Sequence, residues 1–250
     1  MLASEYPRFF EFETRLWWFR GLHSVLGDIA RGFDLGPSAR VLDAGCGTGG
    51  LVARLKALTA ARVYGFDINA AAAPFWARRD FRTGLRASAE AMPMADETFD
   101  AVFCINVFEC HEVDPLKAYH EMWRVTKPGG HIVVSAPGHH CLASDEHDEA
   151  VNGSRRFTRG EFAAIFHTRP VVIERNTHLF APFLPIVAAW RLAVGLRRRL
   201  LGPKKGKTDL SPLPAWINGP LYGVTQVERA ILRHVDLPFG SSVLCVLRKD

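Results

Sequence analysis

A glycine-rich turn set between an apolar run and a helix constrains this 250-residue chain more than any other feature. Val41-Leu42-Asp43-Ala44-Gly45-Cys46-Gly47-Thr48-Gly49-Gly50 leads directly into the helix-forming Leu51-Val52-Ala53-Arg54-Leu55. Glycines at 45, 47 and 49 allow a tight turn in which no Cβ obstructs a ligand. The helix that follows presents free backbone N–H groups and the positive end of its dipole, so a ligand's polar tail can lie against the main chain. Asp67 ends the next apolar run, Val63-Tyr64-Gly65-Phe66, about 20 residues after the glycines, where a carboxylate can accept both hydroxyl hydrogens of a ribose.

These two features leave more than one function open. Gly45, Gly47 and Gly50 also satisfy G-x-G-x-x-G, so a nicotinamide-dependent oxidoreductase competes, as does a non-catalytic cofactor-binding partner protein. Asp43 disfavours the oxidoreductase, because dinucleotide sites are normally apolar there and an acid suits a cationic amino or sulfonium ligand; the non-catalytic partner stays open. Two further stretches move the balance. Ser88-Ala89-Glu90-Ala91-Met92-Pro93 precedes Thr98-Phe99-Asp100-Ala101-Val102-Phe103, and Arg124-Val125-Thr126-Lys127-Pro128-Gly129-Gly130 precedes another apolar run.

Short apolar runs at 40–44, 62–66, 101–105, 132–135, 171–175 and 242–247 alternate with helix-like stretches at 51–60, 70–79 and 115–125. That is the pattern of a parallel sheet covered by helices on both faces. Pro128-Gly129-Gly130 breaks the chain before the fourth of these strands, and Thr158 with Glu161 forms a capping-box signature for a further helix. Residues 178–240 are far longer than an ordinary connection and must carry structure of their own; their prolines divide them into short helices or loops. The organisation is therefore an aromatic-rich helical cap at 1–38, a cofactor-binding α/β core at 39–177, a lid or insertion at 178–240 with a basic amphipathic segment, and a final core strand at 241–250.

The motifs, in this order, resemble those of class I S-adenosylmethionine-dependent methyltransferases, which read D-x-G-C-G-x-G, D-A-x-x-L-P-F, F-D-x-V and R-V-L-K-P-G-G. The likeness is close over residues 40–136. More loosely, Trp17-Trp18-Phe19-Arg20, His147-Asp148-Glu149 with Arg155-Arg156-Phe157-Thr158, and Leu237-Pro238-Phe239-Gly240 resemble a bacterial subgroup tied to small-molecule and glycan pathways. The resemblance implies a doubly wound, mostly parallel seven-stranded sheet with one antiparallel strand, the segment at 242–247 lying beside the fifth strand and the strand not yet located falling around 81–85. It implies S-adenosylmethionine as cofactor, with Asp43, Gly45, Cys46, Gly47 and Gly49 around its methionine part and Arg20 also in contact with it. Asp67 would hold the ribose, Ile68 would pack on the adenine, and Ser88, where the family has Asp, would meet the adenine amino group beside Ala89. Asn106 would sit at the point of methyl transfer, and it is not followed by the P-P-Y of exocyclic-amine nucleic-acid methyltransferases.

The acceptor is expected to be a small molecule, glycan or lipid-linked intermediate methylated on O or N. His111, in the loop after the fourth strand, is the first candidate for a general base, with Glu109 behind it. Trp18, His147 and Asp148 are candidates for the acceptor pocket, and Arg155 and Arg156 for an anionic group on the acceptor. The run His139, His140, Asp145, Glu146, His147, Asp148, Glu149 has no helical or finger-type ligand spacing, so no metal is expected. The net charge of +5 concentrates late, in Arg191, Arg197, Arg198, Arg199, Lys204, Lys205 and Lys207. Residues 186–207 are thus a candidate surface for an anionic membrane or a dimer face. A nucleic-acid partner is not expected, because the basic run lacks interleaved aromatics. Five scattered cysteines without a C-x-x-C pair, and no basic leader with an apolar stretch at the start, point to a cytoplasmic protein, peripheral to a membrane if the basic segment engages one.

Overall fold

The computed structural model describes residues 2–142, 153, 155–201 and 212–250. Its strands are β1 Arg40–Ala44, β2 Arg62–Asp67, β3 Gly84–Arg86, β4 Phe99–Ile105, β5 Thr126–Pro137, β6 Val171–Leu179 and β7 Ser242–Lys249. They form one sheet in the order β3-β2-β1-β4-β5-β7-β6. β1 to β5 pair in parallel, whereas β7 runs antiparallel to both β5 and β6. Both faces of the sheet are covered, so the strands alternate between two cores. Val41, Phe103, Val133 and Leu244 enter one, and Leu42, Val102, Val134 and Cys245 enter the other.

The helices are α1 Tyr6–Phe12, α2 Trp17–Arg31, α3 Gly50–Leu58, α4 Ala73–Arg78, α5 Pro115–Val125, α6 Arg159–Phe166, α7 Leu184–Leu201 and α8 Ala215–Leu232. α2, α3 and the end of α8 supply the first core, and α5 and α6 the second. Local chemistry sets several of these boundaries. Pro115 stands at the start of α5, and the Asp114 side chain accepts from Leu116 N and Lys117 N. α6 begins with the expected capping box: Thr158 Oγ1 accepts from Glu161 N at 3.3 Å while Glu161 Oε2 accepts from Thr158 N at 2.8 Å.

Four sequence expectations are corrected here. Pro128-Gly129-Gly130 does not precede the fourth predicted strand but lies inside β5. A register shift between Phe99 and Ala101 on β4 faces it, and Gly129 adopts φ +74°, so the pair of breakers makes a bulge and the ladder resumes beyond it. Residues 70–79 are a 3-10 turn, Ala70–Ala72, followed by the short α4, because Pro74 has no N–H to donate and suits only a helix start. β6 continues to Leu179, past the expected boundary at 178. The prolines of 178–240 divide that segment less than expected: among the described residues Pro182 opens the 3-10 turn Ala181–Phe183, but α7 and α8 have 18 residues each, Pro185 sits at the start of α7, and Pro220 deprives α8 of one backbone donor without ending it.

α8 is held against α2 at three levels. Asn218 Oδ1 accepts from Trp17 N at 2.8 Å and Asn218 Nδ2 donates to Arg15 O at 2.8 Å, so a side chain of one helix caps the start of the other. Gly21 permits the close approach, since a Cβ there would meet Thr225 at 2.9 Å. Asp28 then accepts from Arg229 at 2.8 Å and Arg233 at 2.9 Å. Partial burial works against the Asp28 charge, but the hydrogen bonds from Arg229 and Arg233 outweigh it and hold the carboxyl down at about 2. A depressed carboxyl stabilises the fold above its unfolded value near 3.8 and loses that contribution as pH falls through about 2. Asp28→Ala should therefore cost about 1–2 kcal/mol at neutral pH, read from urea unfolding, and the gap to the parent should close on acidification; a gap independent of pH would refute the clasp.

Candidate active site

In a sheet of this order, β1 and β4 are neighbours although two strands separate them in sequence, and their following connections leave on opposite faces. A crevice at the carboxyl ends of the strands results. Here it is a cavity of about 810 Å³ whose wall includes Asp43 at the end of β1, Asp67 at the end of β2 and Asn106 just past β4.

The glycine turn shapes the floor. Gly45, Gly47 and Gly49 adopt φ +82°, +52° and +83°, a region closed to most side chains. A Cβ on Gly45 would collide with the Val107 side chain, whereas Gly47 faces open space in the cavity. Gly49 stands outside the wall and N-caps α3. The turn is buttressed by Trp76, whose Nε1 donates to Gly47 O at 2.8 Å. Asn106 is itself left-handed, at φ +56°, and its backbone N–H reaches Ser135 O at 2.9 Å. Cys46, Ser88 and Ala89 also line the cavity, and Ile68 does so from an exposed position at its rim. Ser88 Oγ accepts from Glu90 N at 3.2 Å, an ordinary turn contact for serine.

Three carboxylates converge on this floor. Asp43 is buried, and burial followed by the charges of Glu13 and Asp67 pushes its carboxyl well above the ordinary carboxylate range. Asp67 accepts from Gly47 N at 3.0 Å on one oxygen, and from Tyr6 Oη at 2.8 Å and Asn69 N at 2.9 Å on the other. Tyr6 is buried, and burial and the Asp67 charge push its phenol up, so it stays a donor. Glu13, where α1 ends, reaches the start of α3. It accepts from the Thr48 hydroxyl and the Gly50 backbone N–H, and from Arg79 Nη2 at 2.9 Å. Arg79 Nε also donates to Thr48 O at 3.0 Å, so one guanidinium ties α1 to the glycine turn.

Neither Tyr6 nor Glu13 was among the residues expected at the site. They flank Phe9, Phe10 and Phe12 in a segment without a recognisable motif, and only the folding of α1 over the cavity brings them in. The expected residues divide between the cavity wall and other places. Trp18 and Arg156 line it. Arg20 lies elsewhere, its guanidinium 3.7 Å from the centroid of the Tyr222 ring on α8. Arg155 donates to the carbonyls of Cys110, of Val113 at 2.8 Å and of His111 at 3.3 Å, and so braces the loop after β4. On that loop the His111 side chain is exposed and outside the wall, while Glu109 is buried within it. Of the polar run at 139–149, His147 and Asp148 fall outside the described residues; among the described residues no group of side chains is arranged to hold a metal ion. Trp17 closes the far side, 4.3 Å from the Phe183 ring, and Trp18 stacks on Phe180 at 5.6 Å.

Comparison with known proteins agrees with this geometry. Residues 42–134 match the family described as methyltransferase domain. Sterol methyltransferase-like 2 of Botryococcus braunii is 35% identical over 155 residues, 59% of this chain and 37% of that protein. The ubiquinone biosynthesis O-methyltransferase of Alkalilimnicola ehrlichii is 37% identical over 102 residues, 38% of this chain and 40% of that one. The chain thus spans well under half the length of these two relatives. Among solved structures, geranyl diphosphate C-methyltransferase from Streptomyces coelicolor, in complex with Mg2+, geranyl-S-thiolodiphosphate and S-adenosyl-L-homocysteine, superposes with a TM-score of 0.60 at 16% identity, covering 91% of this chain and 76% of that one. At that identity the likeness is one of fold.

Burial pushes the Glu13 carboxyl up to about 7, against the Thr48 hydrogen bond, the Arg79 charge and the Gly50 N–H. A raised carboxyl contributes stability that is present below its ordinary value of 4.5 and is lost as pH rises through about 7. The stability of the parent relative to Glu13→Gln should therefore fall by on the order of 2 kcal/mol across that window, measured as urea midpoints at several pH values. A constant difference would show that Glu13 does not hold a proton in the folded protein.

Proposed function

We propose that this chain, whose residues 42–134 are a methyltransferase domain of the class I S-adenosylmethionine-dependent family, transfers a methyl group to oxygen or nitrogen of a small molecule or of a glycan or lipid-linked intermediate. One observation carries the reading: Glu13, Asp43 and Asp67 converge beside a glycine turn that leaves room for a ligand. Such a floor is electrostatically suited to a ligand that is cationic at its amino and sulfonium groups and bears a ribose diol. The hydroxyl that Tyr6 presents to Asp67 is the same kind of donor a ribose supplies. Asp43, Gly45, Cys46 and Gly47 would hold the methionine part, Asp67 the ribose, and Ile68, Ser88 and Ala89 the adenine. When bound, the cofactor supplies an electrophilic methyl on a good leaving group.

The protein's share of the reaction is then alignment, exclusion of water and proton uptake. Trp17, Trp18 and Phe183 form an apolar wall on one side of the cavity, which favours exclusion of water there. Asn106, held by its backbone contact to Ser135, borders the transfer point. We assign proton uptake from the acceptor to the Glu109 carboxylate in place of His111, whose ring stands outside the wall. Arg156 is suited to a carboxylate or phosphate on the acceptor, whereas Arg155 acts on the loop that carries Glu109. Five free thiols suit a reducing compartment, so we assign the protein to the cytoplasm.

Calorimetry on the purified chain should detect S-adenosylmethionine and S-adenosylhomocysteine and no binding of NAD. Asp67→Ala should weaken both by about 1.5–3 kcal/mol, the range for hydrogen bonds to a charged group. Binding of NAD, or an Asp67→Ala variant that binds as the parent does, would overturn the cofactor assignment. In a transfer assay with a labelled methyl donor and a small-molecule and lipid extract, Glu109→Gln should lose most of the turnover and His111→Gln little; the reverse order would return the proton to His111.

A further inference from the structure

α7 presents an apolar face to solvent. Ile186, Trp190, Leu196 and Leu200 recur at helical spacing and are 66%, 58%, 59% and 73% exposed, with Leu192 beside them at 75%. Trp216 at the start of α8 is likewise 76% exposed. The opposite side of α7 carries Val187 and Arg191, which line the cavity. One helix therefore separates the site from a row of exposed apolar side chains, a feature that marks interaction surfaces.

The sequence that carries that face is basic. From residue 176 to residue 208 the chain contains no acid, and Arg197, Arg198, Arg199, Lys204, Lys205 and Lys207 crowd its second half. A second copy of this chain docked face to face by two-fold symmetry would set these cations against their own duplicates. An anionic bilayer neutralises them while burying the apolar residues between them. No helix among the described residues is long and apolar enough to cross a membrane, so α7 can lie on a bilayer but not span it.

We propose that α7 lies on the surface of an anionic phospholipid bilayer with Ile186, Trp190, Leu192, Leu196 and Leu200 turned into the lipid. The membrane interface is then only one helix away from the cavity. This inference concerns the surface and stands apart from the reaction assigned to the cavity.

The test is co-sedimentation of the full chain with vesicles of phosphatidylcholine alone and of equimolar phosphatidylcholine and phosphatidylglycerol. The chain should pellet with the mixed vesicles and not with the neutral ones, and should be released as salt rises. The variant carrying Leu192→Glu, Leu196→Glu and Leu200→Glu should bind the mixed vesicles at least roughly tenfold more weakly while retaining the parent's calorimetric affinity for S-adenosylhomocysteine, which reports an intact core. A parent that stays in the supernatant with mixed vesicles, or a variant that pellets as well as the parent, overturns the proposal. So does a parent that is dimeric, becomes monomeric in the same variant and ignores both vesicle types. Failure of S-adenosylhomocysteine to bind the parent would count against the cofactor reading and leave the vesicle result standing.

Discussion

Three carboxylates buried around the end of β1 are the constraint to which the rest of the molecule answers. Asp43 lies at a strand end inside the protein, with the charges of Glu13 and Asp67 close enough to raise its carboxyl further after burial has done most of the work. Like charges in a region of low dielectric destabilise one another, and the fold answers with protons and donors. Glu13 takes the Arg79 guanidinium, the Thr48 hydroxyl and the start of α3; Asp67 takes a phenol and two backbone N–H groups. Asp43 keeps its raised carboxyl, and the floor remains suited to a cation.

The two regions outside the regular strand and helix alternation exist to cover that floor. α1 brings Tyr6 and Glu13 across it, and Arg79 fastens the end of α1 through Glu13 and through Phe10 O at 3.2 Å. α2 continues the cover, and α8 holds α2 by the Asn218 cap and the Asp28 clasp. Between β6 and α7 the chain turns at Phe180, which adopts φ +61°. A bulky residue there is strained, and Phe180 is kept in place by burial against Trp17 and Trp18 and by Glu228 of α8, whose Oε1 accepts from Ala181 N at 2.8 Å. Segments far apart in the chain, Trp17 and Trp18 with Phe180 and Phe183, thus build one wall. Aromatic packing supplies most of its cohesion, since each ring buries a large apolar area.

Much of this was legible before folding, and the reasons are local. β1 coincides with its expected residues, 40–44, because the apolar Val41, Leu42 and Ala44 are buried in a central strand and the glycine turn ends the run. α5 ran true to its limits because Pro115 and Asp114 mark its start. Misreadings came where a breaker residue was weighed without its surroundings. Pro128 and Gly129 look like an end, yet a bulge opposite β4 absorbs them; Pro220 looks like a divider, yet α8 is held on both sides of it. Arg20 and Arg155 looked like ligand-binding cations, yet one finds the Tyr222 ring and the other a set of backbone carbonyls. A guanidinium goes to whichever acceptor or ring the fold brings within reach, and the sequence does not state which.

By itself the sequence determined the elements whose causes lie within a few residues: the glycine turn, the acid at the end of β2, the capping box of α6 and the alternation that makes a doubly wound sheet. The tertiary structure alone decided which side chains share the cavity. Tyr6 meets Asp67 across 61 positions and Glu13 meets Thr48 across 35, contacts that no periodicity records because they depend on how α1 is laid over the sheet. It also decided that Glu109 and not His111 faces inward, and that the apolar side of α7 faces out while Arg191 faces in. Helical spacing states that such a helix has two faces; only its packing against the 3-10 turn at His140–Leu142 and against the cavity selects which one meets solvent.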